Sequence, residues 1–199
     1  MNESASRLLS LVGLLLALLL AACSSHKAAP PLEGASMGGP FTLTDQSGRR
    51  VSDRDFAGKY RLIYFGYTFC PDVCPVDMQV IGAGLRRFEA QDPVRAAKVQ
   101  PIFISVDPAR DTPAVLGRFV AAFHPRLLGL TGSETEIAQV AREYGIFYQR
   151  GEANPGGGGY MVNHTRMAVL YGPDGRPIAI IPTDQGPDGV ATELGRWVQ

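Results

Sequence analysis

A dense apolar run at residues 60–66 leads almost directly into the string Cys70-Pro71-Asp72-Val73-Cys74-Pro75. The aromatic and β-branched residues of the run are typical of a strand buried in the centre of a sheet. Residues 72–89 then show helical periodicity, and the residues expected toward the buried side are Val73, Val76, Val80, Ala83 and Leu85. A buried strand that turns at once into a helix predicts an α/β architecture with two cysteines at the junction.

The rest of residues 41–199 continues this alternation of strands and helices. A hairpin is predicted at residues 41–51, and further strands at 99–106, 127–130, 146–149, 166–171 and 178–181. Helices are predicted from Asp111-Thr112-Pro113 to Phe123, from a capping box at Ser133 to Tyr144, and over residues 188–198. The segment between Gln149 and Arg166 contains a glycine run and is predicted to be a loop. We therefore predict an α/β fold in which helices flank a mixed central sheet.

The two cysteines are the strongest chemical signal in the chain, which has only three. On a helix, residues four apart lie on one face, so the sulfurs of Cys70 and Cys74 should converge. The helix N-terminus should favour their thiolate forms. A disulfide between them would close almost no loop and so add little stability. The pair is therefore expected to do chemistry, either by cycling through a disulfide or by holding a soft metal ion.

The N-terminus predicts export. Arg7 precedes an apolar run at residues 8–22, which is short for a membrane span of about 20 residues but suits a signal peptide. Leu20-Ala21-Ala22-Cys23 resembles a bacterial lipobox, whose cysteine is lipidated; the alternative is an uncleaved membrane anchor. We predict a signal peptide at 1–22, a lipidated Cys23 with a flexible tether at 23–40, and one domain at 41–199. The domain is expected on the exported (periplasmic) side of the cytoplasmic membrane, with inner or outer membrane attachment left open.

The net charge and the positions of the three histidines limit the kinds of partner and metal that the chain is expected to bind. Net charge is zero and no basic run occurs, so no nucleic-acid partner is expected. Two soft thiolates with one imidazole would suit copper in either oxidation state, and thiolates alone also suit zinc. His26 lies in the tether, and His124 is expected to cap a helix end or lie on the surface. His164 is expected in a loop that faces the cysteine helix, either as a ligand or as a hydrogen-bonded loop residue.

Four strings carry a resemblance to a known family: Tyr64-Phe65-Gly66-Tyr67-Thr68-Phe69-Cys70-Pro71-Asp72-Val73-Cys74-Pro75, Ser105-Val106-Asp107-Pro108-Ala109-Arg110-Asp111-Thr112-Pro113, Val162-Asn163-His164-Thr165 and Gly172-Pro173-Asp174-Gly175. Over residues 41–198 the chain resembles the Sco/SenC family of copper-binding cytochrome c oxidase assembly proteins. The resemblance implies a thioredoxin-like fold and one copper ion per chain, Cu(I) or Cu(II), held by Cys70, Cys74 and His164. It implies a membrane-tethered protein that helps metallate cytochrome c oxidase subunit II, or another copper-receiving protein, as metallochaperone, thiol reductant or both.

One position departs from the family pattern. Many members have an acidic residue where this chain has Asn163, and an amide orients a neighbouring imidazole more weakly than a carboxylate does. This difference predicts a softer affinity for Cu(II), with Cu(I) less affected. Asp72 and Asp107 are candidates for orienting the metal ligands, or alternatively are turn and cap residues at strand ends.

Two other functions stay open. The first is an exported thiol–disulfide oxidoreductase or peroxiredoxin-like enzyme, with Cys70 and Cys74 as its redox pair. Against it, three residues separate the cysteines rather than two, and Asn163-His164-Thr165 stands where the reductases have a proline. The second is a redox or copper sensor, for which the chain shows no sensor domain. Enzymatic catalysis beyond thiol reduction is not expected.

Overall fold

A computed structural model describes residues 28–153 and 159–199. The predicted signal peptide, Cys23, His26 and the glycines at 156–158 lie outside these ranges. In order along the chain, the strands are β1 Thr42–Asp45, β2 Arg50–Ser52, β3 Tyr60–Gly66, β4 Val99–Ser105, β5 Leu128–Thr131, β6 Tyr148–Ala153, β7 Tyr160–His164, β8 Ala168–Tyr171 and β9 Pro177–Ile181. The helices are α1 Val73–Gln91, α2 Pro93–Ala96, α3 Pro113–Ala121, α4 Glu134–Glu143 and α5 Gly186–Trp197, with 3₁₀ turns at Asp53–Phe56 and Thr183–Gln185.

The central sheet is mixed, as predicted. Seven strands lie in the order β2-β1-β5-β4-β3-β8-β9. β3 pairs parallel with β4, and β4 pairs parallel with β5, whereas the other pairs are antiparallel. Every residue of β3 is buried, because strands pair on both of its sides and helices and loops cover its faces. The chain therefore leaves the most buried strand of the sheet immediately before the two cysteines.

Helix α1 forms where predicted but presents a different face to the core. Its buried apolar side chains are Cys74, Met78, Ile81, Leu85 and Phe88. Of the five residues predicted for that face, Leu85 is buried, Val73 and Val80 are half-buried against the core, and Val76 is 52% exposed. The Cys74 side chain points into the core, and each residue turns a helix by about 100°. The observed buried face includes Cys74 rather than Val73, so it is rotated about the helix axis by one residue from the predicted face.

The segment between Gln149 and Arg166 is predicted to be a loop, and this prediction is wrong for residues 150–153 and 160–164, which are strands. β6 and β7 form a separate antiparallel hairpin, in which Tyr148 pairs with His164 and Gln149 with Asn163. All of β6 after Tyr148 is exposed, so the strand lacks the apolar alternation by which a strand is recognised in sequence. His164 is consequently the last residue of a strand rather than part of a mobile loop.

Part of the predicted tether packs on the domain. The Leu32 amide donates to the Ile178 carbonyl at 3.0 Å, and the Gly38 amide donates to the Glu143 carbonyl at 2.8 Å. Leu32 and Met37 contact the hydrophobic core. These contacts bury apolar side chains that the composition of the segment had not suggested, so residues 32–38 are held against the domain.

The local signals for turns and caps were confirmed. Gly48 adopts a φ of +84° in the β1–β2 turn, where only glycine is unstrained. Thr112 caps α3, and Ser133 forms a capping box with Glu136 at the start of α4. In residues 28–153 and 159–199, none of the helices has the length and apolar character that crossing a bilayer requires.

Candidate metal centre

Cys70 lies in the turn between β3 and α1, and Cys74 is the second residue of α1. The Cys70 amide donates to the Tyr67 carbonyl at 3.3 Å, which closes the turn after the strand. The Cys74 amide donates to the Cys70 sulfur at 3.4 Å, so that sulfur takes the place of a helix cap. Both cysteines are free; Cys70 is 8% exposed and Cys74 is fully buried. Cys70 therefore precedes the helix and Cys74 lies in its first turn, with Cys70 nearer to the surface.

Gly66 provides the space that the Cys74 sulfur needs. A Cβ atom at this position would lie 3.1 Å from Cys74 Sγ and 3.0 Å from both the Tyr64 and the Phe103 rings. These separations are shorter than ordinary carbon contacts of about 3.5–4.0 Å. A larger residue at the end of the central strand would therefore force these rings or the sulfur to shift by a few tenths of an ångström.

His164 brings an imidazole to the Cys74 sulfur. Its Nε2 lies 3.2 Å from Cys74 Sγ, and its Nδ1 lies 3.0 Å from the Thr165 carbonyl oxygen. Because that carbonyl can only accept, Nδ1 carries the proton and donates it. The Nε2 lone pair consequently faces the sulfur, which is the tautomer that a metal ligand requires.

Burial determines the protonation states at this contact. It raises the pKa of the Cys74 thiol well above its usual value, so the expectation that the helix N-terminus would make Cys74 a thiolate was wrong. Burial also lowers the pKa of His164, although the Thr165 carbonyl and Asp77 act in the opposite direction. In the metal-free protein, the neutral Cys74 thiol donates to the neutral His164 ring.

Aromatic rings surround the imidazole. Tyr64 and Tyr67 meet it edge-on, with ring centroids 6.3 Å and 5.9 Å away and interplanar angles of 80° and 90°. Both tyrosines are buried, whereas Phe69, one residue before Cys70, is half exposed. The rings limit the positions that the imidazole can adopt and shield its contact with Cys74 from solvent.

A buried carboxylate fixes the chain on the far side of His164. Asp77, in the second turn of α1, receives hydrogen bonds from Arg166 Nε at 2.7 Å and Arg166 Nη2 at 2.6 Å. It also accepts from the Tyr64 hydroxyl at 2.8 Å. Although burial raises its pKa, the bonds from Arg166 and Tyr64 hold the pKa below its ordinary value. The sequence analysis did not identify this cluster, although a lone Asp three residues after Cys74, on the same helix face, was a usable signal.

A second cluster fixes the chain before His164. The Tyr160 hydroxyl, at the start of β7, donates to Asp107 at 2.6 Å, and Arg110 Nε donates to the same carboxylate at 2.5 Å. The Arg110 guanidinium lies 3.7 Å from the centre of the Tyr160 ring. Asp107, predicted either to orient the ligands or to terminate a strand, thus acts on His164 only indirectly by anchoring the hairpin.

Asp111 has a role that its predicted position at a helix start did not show. It is fully buried and accepts from the Thr68 amide at 3.0 Å and the Thr68 hydroxyl at 2.6 Å, while Ser105 Oγ donates to it at 2.6 Å. Thr112 alone supplies the side-chain cap of α3. Asp111 therefore ties the loop before Cys70 to the end of β4.

The remaining candidates lie apart from the metal centre. Asp72 is exposed and occupies the N-cap position of α1 without a side-chain cap bond. Asn163 is exposed on the face of β7 opposite to His164, because neighbouring strand residues alternate. His124 was expected at a surface or a helix cap, but it is buried; its Nε2 lies 3.3 Å from Glu89 and its Nδ1 accepts from the Arg126 amide. It joins α1 to the chain after α3.

The donor set fits a soft metal ion. Two sulfurs and an imidazole with a free Nε2 are the ligands that copper takes in either oxidation state. Within residues 28–153 and 159–199, no three His, Cys, Asp or Glu side chains already form a closed cage. Cys74 and His164 are in contact, and the Cys70 sulfur accepts from the Cys74 amide beside them, so these three residues would hold the ion.

Comparison with known proteins identifies the family. The model of the family described as SCO1/SenC matches residues 29–199, most of the chain. The chain belongs to the SCO1/SenC family. Among curated relatives, the mitochondrial SCO2 homologue of Bos taurus is 45% identical over 145 residues, 72% of this chain and 53% of its own length. The mitochondrial SCO1 homologue of Homo sapiens is 41% identical over 70% of this chain and 45% of its own length, so the chain spans about half the length of these relatives.

Solved structures show the same fold. Bradyrhizobium japonicum ScoI, solved with copper bound, is 41% identical and superposes with a TM-score of 0.73 over 81% of this chain and 99% of its own. Yeast Sco1 with copper bound is 32% identical, with a TM-score of 0.75 over 82% of this chain and 88% of its own. The thioredoxin domain of a Bacteroides vulgatus thiol-disulfide oxidoreductase is 17% identical, with a TM-score of 0.58 over 82% and 96%. The predicted thioredoxin-like fold is thus confirmed.

Proposed function

We propose that this chain binds one copper ion through Cys70, Cys74 and His164 and delivers it during the assembly of cytochrome c oxidase. The observation that carries the proposal is the 3.2 Å contact between His164 Nε2 and Cys74 Sγ, made with Nδ1 held by the Thr165 carbonyl. This contact joins residues 90 positions apart in the chain and aims a free imidazole lone pair at a thiol. A structural histidine needs no such partner.

The chemistry of the site suits delivery rather than permanent storage. The thiolates hold Cu(I), and the imidazole allows Cu(II) to bind as well. Because Cys74 is protonated in the metal-free protein, binding releases its proton. Cys70 is the more exposed sulfur, so a recipient's ligand can approach from its side. Ligand exchange beginning at Cys70 would transfer the ion stepwise.

Relatives support the partner assignment. BsSco, 28% identical with a TM-score of 0.60 over 79% of this chain and 90% of its own, is described as a member of the Sco family of cytochrome c oxidase assembly proteins. We propose subunit II of that oxidase as the recipient. We also propose that lipid on Cys23 anchors the domain at the exported face of the bacterial cytoplasmic membrane.

Because the Asn163 side chain faces away from the His164 imidazole, we expect Asn163 not to weaken the affinity for Cu(II).

Absorption spectroscopy of the purified protein with Cu(II) tests the site. We expect saturation at one equivalent and an intense thiolate-to-copper charge-transfer band. Cys70→Ala, Cys74→Ala and His164→Ala should each abolish or shift the band, because each removes one donor. His26→Ala and Cys23→Ala are the matched controls, since they remove the same residue types outside the site. No band in the wild type, or the same band in all three site variants, would contradict the proposal.

A second function has an observation of its own. Cys70 and Cys74 are both free, the Cys74 amide donates to the Cys70 sulfur, and the BsSco structure is described as identifying a disulfide switch. The pair can therefore reduce a partner disulfide: the two thiols lose two electrons and two protons, a Cys70–Cys74 disulfide forms, and the partner gains two thiols. Cys70 is the attacking sulfur because Cys74 is fully buried.

Two variants separate the two functions. His164→Ala removes the copper donor but leaves both thiols, so it should retain reduction of an oxidised subunit II peptide while losing the copper band. Cys70→Ala should lose both. If His164→Ala loses reduction as well, the imidazole takes part in thiol chemistry and the two functions cannot be treated as independent.

A further inference from the structure

Arg61 is the one buried arginine or lysine of the described residues, and it has no partner there. The residue is 6% exposed, and its backbone pairs in the sheet, but its guanidinium makes no hydrogen bond or ion pair within residues 28–153 and 159–199. Its Nε is sealed from solvent and unpaired. By contrast, the more exposed Arg110 and Arg126 pair with Asp107 and Glu89, respectively. A buried charge without a counter-charge is unfavourable, so a bound anion would stabilise the Arg61 guanidinium.

The guanidinium lies at a groove. A depression of about 590 Å³ is bounded by the segment at residues 35–40, the start of the first 3₁₀ turn and the β8–β9 turn, with Arg61 in its wall. Gly175 permits this placement, since a Cβ there would lie 2.6 Å from Arg61 Nη2. Two further arginines, Arg54 and Arg176, line the exposed edge of the groove.

The nearby carboxylates are engaged elsewhere or do not reach Arg61. Asp53 accepts from the Phe41 amide at 3.2 Å, and Asp174 pairs with Arg176 at 2.6 Å. Glu143 has a buried Oε2 without a partner, but that oxygen lies against Gly39. None of the three is within 4.0 Å of the Arg61 guanidinium, the limit for an ion pair. The groove therefore has three arginines and two carboxylates in its lining, and its most buried charge is unbalanced.

We infer that this groove binds an oxyanion, the carboxylate or phosphate group of a small ligand, with Arg61 as its principal contact. A guanidinium presents parallel N–H donors that match two oxygens of either group. Arg54 and Arg176 supply long-range attraction at the rim. The site is separate from the metal centre: Arg61 is near the start of β3, roughly 16 Å of strand before Gly66. It does not depend on the proposed copper function.

Thermal unfolding with defined anions tests the inference. The purified protein is titrated with sodium phosphate and, separately, with sodium acetate, against sodium chloride at matched ionic strength. We expect phosphate, acetate or both to raise the melting temperature saturably, by roughly 3–6 °C at ten times the dissociation constant. The arm that saturates at the lower concentration identifies the group that the site prefers.

Three variants assign the effect. Arg61→Met keeps the length and packing of the side chain but removes the charge, and it should lose the saturable shift. Arg61→Lys keeps the charge without the planar fork and should bind at least about tenfold more weakly. Arg118→Met, on an exposed face of α3, is the matched control and should respond as the wild type does.

The copper band provides an independent check on folding. Arg61→Met should retain the band of the wild type, because its site lies at the other end of β3. The inference is overturned if neither anion exceeds chloride, or if Arg61→Met shows the same saturable shift as the wild type. It is also overturned if Glu143→Gln abolishes the shift in a protein that retains Arg61, because Glu143 would then be the group that responds.

Discussion

At the scale of single residues, Gly66 determines where the Cys74 sulfur can lie. Cys74 is buried between the end of β3 and the imidazole of His164, and any side chain at position 66 would occupy that space. The same burial raises the pKa of the Cys74 thiol and keeps it protonated. Two neighbouring constraints, one steric and one electrostatic, thus set the state of a single sulfur atom.

Gly66→Ala is therefore expected to damage stability and site together. The added methyl group overlaps the Tyr64 and Phe103 rings and the Cys74 sulfur, so the free energy of unfolding should fall by about 1–3 kcal/mol. The copper charge-transfer band should shift or weaken, because the sulfur must move. Urea unfolding and absorption spectroscopy measure the two effects. Gly117→Ala is the control, since its nearest neighbour would be 3.6 Å away. Equal stability and an unchanged band in Gly66→Ala would show that the packing at this position is not limiting.

At the scale of elements, the β6–β7 hairpin depends on a few side chains for its attachment. Its strands pair with each other and not with the seven-stranded sheet. Tyr160 binds Asp107 at one end of β7, and Arg166 binds Asp77 just beyond the other end. His164 lies between these two anchors. The position of the imidazole is thus a property of the hairpin and of its two attachments.

Tyr160→Phe should loosen the hairpin without unfolding the domain. It removes the 2.6 Å bond to Asp107 but keeps the ring beneath Arg110. We expect faster hydrogen exchange of the β7 amides and several-fold weaker Cu(II) binding, with the global free energy of unfolding lowered by about 0.5–1.5 kcal/mol. Tyr148→Phe, in β6 of the same hairpin, is the control. If exchange in β7 stays at the wild-type rate, the Tyr160–Asp107 bond does not hold the hairpin.

Asp77→Ala tests the second attachment. Arg166 is half exposed and can turn to solvent, but the buried Tyr64 hydroxyl loses its acceptor, so the expected loss of stability is about 1–3 kcal/mol. The copper band should shift because Tyr64 lies against the imidazole. Arg166→Ala leaves the buried Asp77 carboxylate without its counter-charge and should cost at least as much as Asp77→Ala. A clearly smaller cost for Arg166→Ala than for Asp77→Ala would show that the buried hydroxyl outweighs the ion pair.

At the scale of the whole molecule, acid stability depends on carboxylates that are buried and hydrogen-bonded. Asp45 is the clearest case. Burial raises its pKa, but four hydrogen bonds from Ser47 and Arg49 outweigh burial and lower the pKa to about 2. Because the folded pKa lies below the unfolded value of about 3.9, Asp45 stabilises the protein above pH ~4. That contribution is lost as the pH falls toward about 2.

Asp45→Asn should remove this contribution, worth about 2 kcal/mol at neutral pH. The difference in free energy of unfolding between wild type and variant should be nearly constant from pH 7 to pH ~5 and shrink as the pH falls further. Chemical denaturation across this range measures it. Asp188→Asn is the control, because its ion pair with Arg87 is exposed and should contribute little. A difference that does not change with pH would mean that the Asp45 carboxylate is not stabilised by its charge.

Local signals in the sequence determined much of the protein. The buried strand at Tyr60–Gly66, the caps at Thr112 and Ser133 and the two cysteines at the strand–helix junction follow from side chains that act on their own neighbourhood. The choice of His164 came from a resemblance, and it was consistent with the geometry observed. The strand, the caps and the cysteine junction were predictable because each depends on residues close together in the chain.

Only the tertiary structure decided how those parts meet. Three features depend on residues tens of positions apart: the rotation of α1, the exposed hairpin that carries His164, and the attachments of that hairpin through Asp77 and Asp107. Burial then reversed the expected protonation of Cys74 and left Arg61 without a partner among the described residues. Contacts and desolvation are set by packing between distant segments, and a one-dimensional pattern does not contain that information.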